Sequence, residues 1–199
     1  MPSVVIFDLG GVLIEWNPRH LYRKLFDDEA EMERFLAAVT PLEWNEEMDA
    51  GRPWDEGIAE RIELFPYEAE RIRAYRERWP EMLGPINQDT VQIMEELVAR
   101  EVPLYALTNW AADTFEYVKD YPFFQHFDGI LVSGREGLKK PDPQIYELLL
   151  ERYDLTADEC VFIDDSERNI VAAEKLGIHG VHFTSAEQTR AALVELGLL

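Results

Sequence analysis

The chain has 199 residues, enough to bury a substantial core as one domain with a sizeable insertion or as two small domains. Its hydrophobic content of 47% marks a globular protein, and no apolar run approaches the ~18 residues that would span a bilayer. Forty acidic residues against 19 basic ones give a formal charge of -21, a field that repels nucleic acid and anionic membranes, so neither is expected as a partner.

The N-terminal MPSVVIFDLGG lacks a basic leader and reads as a strand over Val4–Phe7 rather than a signal peptide. Asp8 stands at the end of that apolar run, where a carboxylate is costly unless a partner or a metal compensates it. From about Glu15 to Leu83 no strand pattern occurs; HLYRKLF, EMERFLAAV, WDEGIAERIELF and EAERIRAYRERW are helical stretches. Four of the five tryptophans (Trp16, Trp44, Trp54, Trp79) fall in this region, which reads as a small helical cap, with Pro80, Gly84 and Pro85 marking the return of the chain.

Beyond the insertion, β-rich runs at Leu104–Leu107, Gly129–Ser133, Cys160–Ile163 and Gly180–Phe183 alternate with helical patterns. That alternation predicts an α/β fold, a Rossmann-like parallel sheet with helices on both faces and a helical cap inserted after the first strand. The expected domains are 1–14 with 85–199 for the core and 15–84 for the cap. Helix punctuation agrees: Asp142 suits an N-cap with Pro143 at the first helical position, SAEQ at Ser185–Gln188 is a capping box, and Gly177 suits a left-handed helix end. The single cysteine, Cys160, precludes an internal disulfide, suits a cytoplasmic location and is expected to pack in the core.

In an open parallel sheet, ligands bind outside the carboxyl ends of the strands, which a cap rooted at the first strand would cover. Those ends carry Asp8, then Thr108 and Asn109 in LTNW, then Lys139 and Lys140 in KKPDP, then Asp164 and Asp165 in FIDD. Phosphoryl transfer needs positioning and charge neutralisation, which these groups can supply. Asp8 is a candidate nucleophile; Mg²⁺ would bridge it to the Asp164–Asp165 pair, Asp165 being the safer ligand of the two. Thr108 and nearby N–H groups would hold the transferring oxygens, and the loop lysine would offset the charge. Lys139 is read as surface, and Asn169 as a residue that could orient the acid pair. Trp110 is expected at the crevice edge. Trp16, Trp44 and Asn45 could line it, though packing inside the cap fits them as well, and Arg19 could meet a distal substrate group. His20, His126, His179 and His182 show no metal-ligand spacing.

FDLGGVLI, LTNW, KKPDP and FIDD, in this order and with a helical insertion after the first, resemble the four motifs of the haloacid dehalogenase-like hydrolase superfamily. Within it the chain looks most like small-metabolite and sugar-phosphate phosphatases of the glucose-1-phosphate phosphatase type. The resemblance implies a Mg²⁺-dependent phosphatase, a monomer or homodimer, that hydrolyses a small phosphorylated substrate through an aspartyl-phosphate on Asp8. Lys140 would be the conserved-role lysine, and the Gly10 carbonyl would be a metal ligand beside Asp8, Asp164 and Asp165. Gly10 is a departure, because most phosphatases of this family carry there an Asp that serves as general acid and base, a role typically worth about 10²–10⁴-fold. A water, Glu15, Glu47 or Asp49 could substitute. Two other readings remain: 2-haloacid dehalogenation with Asp8 attacking carbon, where halide leaves without a proton, and a non-catalytic binding protein.

Overall fold

The computed structural model describes residues 2–199. Its main sheet has five parallel strands: β1 (Val4–Phe7), β4 (Leu104–Thr108), β5 (Gly129–Val132), β6 (Cys160–Asp164) and β7 (His179–His182). Their spatial order is β5-β4-β1-β6-β7, so β1 lies in the middle and the sheet reverses direction around it. In register, Phe7 sits beside Ala106 on one flank and Ile163 on the other.

Successive residues of a strand point to opposite faces, and every residue of β1 and β6 is buried, so both faces must be covered. Val5, Phe7, Ala106, Val161 and Ile163 pack on one face with α6 (Gln88–Ala99) and α10 (Ala186–Glu195), through Ile93, Met94, Leu97 and Leu193. Val4, Ile6, Leu107, Cys160 and Phe162 pack on the other with α8 (Pro143–Arg152) and α9 (Glu167–Glu174), through Ile145, Tyr146, Leu149 and Ile170. The expected Rossmann-like layering is present. Asp142 caps α8 by accepting from Gln144 N–H, Ser185 caps α10 by accepting from Gln188 N–H, and Gly177 takes the left-handed conformation at φ +87°. Burial lifts the Cys160 thiol to about 11, which makes it an inert core residue.

Four strands differ by one residue from the sequence reading, β4 and β6 running on through Thr108 and Asp164. Ser133 leaves the strand and opens the short helix α7 (Ser133–Glu136), and β7 begins one residue earlier than the apolar pattern indicates. The larger difference is an antiparallel ribbon, β2 (Ile14–Trp16) and β3 (Leu83–Ile86), at the root of the insertion. Leu83–Ile86 reads Leu-Gly-Pro-Ile, a breaker pattern, and its only pairing partner lies some seventy residues away in sequence, so nothing local signals a strand.

Between the ribbon strands lie α1 (Arg19–Tyr22), α2 (Glu29–Ala38), α3 (Leu42–Asp49), α4 (Trp54–Leu64) and α5 (Ala69–Glu77). They close around an aromatic nucleus in which Tyr75 packs against Tyr22, Trp44 and Trp54. Trp79 of the returning chain packs on Trp110 of the sheet domain with ring centroids 5.5 Å apart. The apolar interior runs from the insertion into the sheet domain without a break.

Candidate active site

Because the strands are parallel, the residues that follow β1, β4 and β6 emerge on one edge, at the point where strand order reverses. Asp8 follows β1, Thr108 closes β4 and Asp164 closes β6. Lys140 comes back to the same edge on the loop after α7. Its Nζ donates to Asp164 Oδ2 at 2.6 Å and to the Leu107 carbonyl at 2.9 Å, and it lies 2.9 Å from Asp8 Oδ1. All three of its N–H groups are thereby engaged, and the side chain is wholly buried. Asn109 fixes the lysine loop: its Nδ2 donates to the Lys140 carbonyl and its Oδ1 accepts the Lys140 N–H.

Asp164 is equally buried. It accepts from Lys140, from the Ser166 N–H at 2.8 Å, and from Asn169 Nδ2 at 3.0 and 3.1 Å. Asn169 therefore orients Asp164. Asp8 Oδ1 also accepts the Leu9 N–H at 2.7 Å, whereas its Oδ2 has no hydrogen-bond partner among the described residues. Asp165 is the exposed member of the pair and faces the cavity described below.

Carboxylate oxygens of Asp8, Asp164 and Asp165 lie within 4.8 Å of one another. Burial pushes the Asp8 carboxyl well above its ordinary value, Lys140 pulls it down, and Asp164 and Asp165 push it up again. Asp165 is raised by burial and then by Asp164. Burial alone would lower Lys140, but Asp164 and Asp8 outweigh it and hold the ammonium charged. Three carboxylates against one ammonium leave uncompensated negative charge in a hard-oxygen setting, which is the donor chemistry of a divalent cation such as Mg²⁺.

The two glycines after Asp8 play different parts. Gly11 has φ +75°, and a Cβ on it would stand 2.2 Å from Asp165 Oδ2, so glycine is required for that carboxylate to occupy its place. A Cβ on Gly10 would meet nothing within 4 Å, so no steric contact at that atom requires glycine there.

A cavity of about 300 Å³ opens above Asp8, Gly10, Gly11 and Asp165. Trp16, Trp79, Trp110 and Leu42 supply its apolar walls, while Asn45, Glu46, Asp49, Asn109, Arg168 and Asn169 supply its polar lining. Thr108 Oγ1, Trp16 Nε1, Trp110 Nε1 and Asn169 Oδ1 are buried with no hydrogen-bond partner among the described residues. Trp16, Trp110 and Asn45 thus line the crevice as the sequence allows. Trp44 does not: it is 1% exposed and packs edge-on against Trp54 and Tyr75, because its helix turns that face into the nucleus of the insertion. Arg19 is elsewhere too, in a bidentate pair with Glu33 beside a separate cavity.

Lys139 is not a free surface residue. It donates to Glu46 Oε2 at 2.8 Å, and Arg168 donates to Glu46 Oε1, so a carboxylate of the insertion is clasped by two cations of the sheet domain. Burial raises Glu46, but the two cations outweigh it and hold the carboxyl below its ordinary value. Glu46, Arg168 and Trp79 carried no motif in the sequence, and Gly11 lay inside FDLGGVLI with no role of its own assigned to it. The histidines take no part in the acid cluster; His20 pairs with Glu15, and His179 and His182 meet backbone carbonyls.

Residues 2–177 match the haloacid dehalogenase-like hydrolase family. The chain belongs to that family. It is 29% identical over 196 residues to the sesquiterpene phosphatase astK of Aspergillus oryzae, an alignment that covers 98% of this chain and 96% of that one. A HAD-like family hydrolase from Porphyromonas gingivalis superposes with a TM-score of 0.73 at 21% identity, over 98% of both chains. A HAD family enzyme from Bacteroides thetaiotaomicron, solved with magnesium and inorganic phosphate, superposes with a TM-score of 0.66 at 24% identity, over 91% of this chain and 93% of that one. The family membership makes this chain a hydrolase with the HAD Rossmann-like fold.

Proposed function

We propose that this hydrolase is a Mg²⁺-dependent phosphatase that cleaves a small phosphorylated metabolite through an aspartyl-phosphate on Asp8, with residues 15–84 as the cap over the site. The reading rests on one observation above the others: Asp8 meets Lys140, Asp164 and Asp165 at the floor of a cavity sized for a small molecule. It is supported by the name and near full-length match of the phosphatase relative. The free Asp8 Oδ2 is the oxygen available to attack phosphorus, since Oδ1 is held by Leu9 N–H and Lys140. Lys140 favours the ionised form of the attacking carboxylate and offsets charge beside it. The orphaned Thr108 hydroxyl is suited to donate to a phosphoryl oxygen.

Asp8, Asp164 and Asp165, with the Gly10 carbonyl, would hold the magnesium ion. When bound it would neutralise phosphoryl charge and polarise the phosphorus centre. Walls of Trp16, Trp79, Trp110 and Leu42 favour an alcohol with an apolar or ring-shaped face.

Dehalogenation at carbon is favoured by one feature, the missing acid at Gly10. It is disfavoured by the acid cluster, which has more negative charge than Lys140 can balance without a cation. The deciding experiment measures phosphate and halide release from a panel of phosphate esters and 2-haloacids, with Mg²⁺ and with EDTA, with Asp8→Asn as the control. Phosphate release that requires Mg²⁺ and is lost in Asp8→Asn is the expected outcome. Halide release that persists in EDTA would establish the other reading.

A further inference from the structure

An alkoxide is a poor leaving group, so an ester of an ordinary alcohol needs a proton donor at its bridging oxygen. Gly10 cannot be that donor. The sequence offers Glu15, Glu47 and Asp49 as replacements, and the structure separates them. Glu15 is exposed and accepts from His20 Nε2 at 2.8 Å, away from the cavity. Glu47 is exposed and paired with Arg52. Glu46 does reach the cavity, but Lys139 and Arg168 hold it ionised and proton-free at neutral pH. Asp49 alone of these carboxyls lines the cavity and pairs with no cation among the described residues.

We propose that Asp49 is the general acid and base of this site, carried on the helical insertion in place of the side chain that Gly10 lacks. The inference rests on the phosphatase reading above.

Its surroundings suit the role. Asp49 Oδ1 accepts the Ala111 N–H at 3.0 Å and Oδ2 accepts Asn45 Nδ2 at 2.8 Å. The carboxyl is raised to about 7, chiefly by burial and further by Glu46 on the same helix, against the lowering pull of the Ala111 N–H and of Lys139 from the facing loop. Asp8, Asp165 and Arg168 line the same cavity across from it. A carboxyl that titrates near neutrality is present in both forms there and can give and take a proton, as acid–base catalysis near pH 7 requires. Its main chain is pinned as well. The Asp49 carbonyl accepts from Ser133 Oγ, and that oxygen in turn accepts the Trp110 N–H at 2.8 Å. The acid is thus fixed to the segments that follow β4, which ends in Thr108, and its neighbour β5, although it arrives from another part of the chain.

In the first step an Asp8 oxygen bonds to phosphorus while the bond from phosphorus to the ester oxygen breaks. The departing oxygen keeps the electron pair and takes the Asp49 proton, so the alcohol leaves neutral. In the second step water attacks phosphorus and passes a proton to the Asp49 carboxylate. The bond to Asp8 then breaks, inorganic phosphate leaves, and both carboxyl groups are restored. One ester and one water become one alcohol and one phosphate.

The test compares glycerol 2-phosphate, a poor leaving group, with 4-nitrophenyl phosphate, a good one, in wild type, Asp8→Asn, Asp49→Asn and Ser133→Ala, all with Mg²⁺. Asparagine is accommodated at position 49, because the Asn45 amide can turn over and present its NH₂ to the Tyr75 hydroxyl, which now donates to Asn45 Oδ1. Asp49→Asn is expected to lower kcat/KM for the alkyl ester about 100-fold or more and for the aryl ester by less than a tenth of that factor. Ser133→Ala, which loosens the support and keeps the carboxyl, is expected to lower kcat/KM for the alkyl ester more than for the aryl ester, by a smaller factor than Asp49→Asn. In wild type, kcat/KM for the alkyl ester should fall as pH rises through about 7, with no such limb for the aryl ester; this needs no variant to fold. Equal losses for the two esters in Asp49→Asn, or no loss, or a wild-type profile with the same alkaline limb for both, overturns the assignment while leaving Asp8 as nucleophile. Absence of Mg²⁺-dependent hydrolysis of either ester by wild type overturns the phosphatase reading together with it.

Discussion

Alanine at Gly11 and alanine at Gly10 are neighbouring, chemically identical substitutions for which the structure demands opposite outcomes. At Gly11 the backbone has φ +75°, a left-handed conformation that costs an L-residue about 1–2 kcal/mol. For a domain of this size that corresponds to a Tm lower by roughly 2–8 °C. The added methyl would also lie 2.2 Å from Asp165 Oδ2 and 2.6 Å from its Cγ, so the carboxylate must swing away. A flexible side chain can move at small cost in stability, and the loss falls instead on the acid cluster. Magnesium affinity is therefore expected to drop about 10-fold or more, the scale on which disturbed support of a metal ligand is felt. At Gly10 the methyl meets nothing within 4 Å and φ is not left-handed, so alanine should leave stability unchanged or raise it by up to about 1 kcal/mol through the unfolded chain. Thermal melts and calorimetric Mg²⁺ titration of the two variants read both quantities. Equal Tm and equal Mg²⁺ affinity for the two would refute the placement of Asp165 against Gly11.

Lys140→Met strands two buried carboxylates and the Leu107 carbonyl, and should cost about 3–5 kcal/mol in chemical denaturation; a loss below about 1 kcal/mol would show that Lys140 does not neutralise Asp8 and Asp164. Asp49 is held near 7 in the fold against an ordinary 3.8, so the folded state binds the extra proton between these values. Wild-type stability should accordingly fall as pH rises from about 4 to about 7, by at most about 4 kcal/mol, and Asp49→Asn should flatten that slope. A stability difference between the two that does not change with pH would count against the raised carboxyl. Trp44→Ala should cost about 3–5 kcal/mol with KM unaltered in the folded fraction, because Trp44 packs in the insertion and not on the cavity wall; a KM that moves with Trp44 would place it in the site after all.

Much of the framework is local in origin and so was legible in the residues. Val4–Phe7 and Cys160–Asp164 are apolar on every position, which only a strand covered on both faces tolerates, and the acid that ends each run falls on the ligand-binding edge as a matter of topology. The caps at Asp142 and Ser185 and the left-handed Gly177 follow from side-chain chemistry within a few residues. The β2–β3 ribbon was not legible, since a Leu-Gly-Pro-Ile strand forms only because Ile14–Trp16 is brought to it across the insertion. The clasp of Glu46 by Lys139 and Arg168 was hidden for the same reason: three ordinary charged residues become a unit only when distant segments converge.

The sequence by itself determined the strands of the main sheet, the class of fold and the polar residues at the strand ends, because hydrophobic period, capping chemistry and strand direction act over short stretches. Tertiary structure alone decided how those groups are used. It spent every N–H of Lys140, separated Trp44 from the cavity that Trp16 and Trp110 line, and made Gly11 rather than Gly10 the glycine that Asp165 requires. It also singled out Asp49 from three equivalent acids of the insertion. Exposure, cation pairing and desolvation differ among Glu15, Glu47 and Asp49, and those are properties of the packed environment that no single side chain carries in its own chemistry.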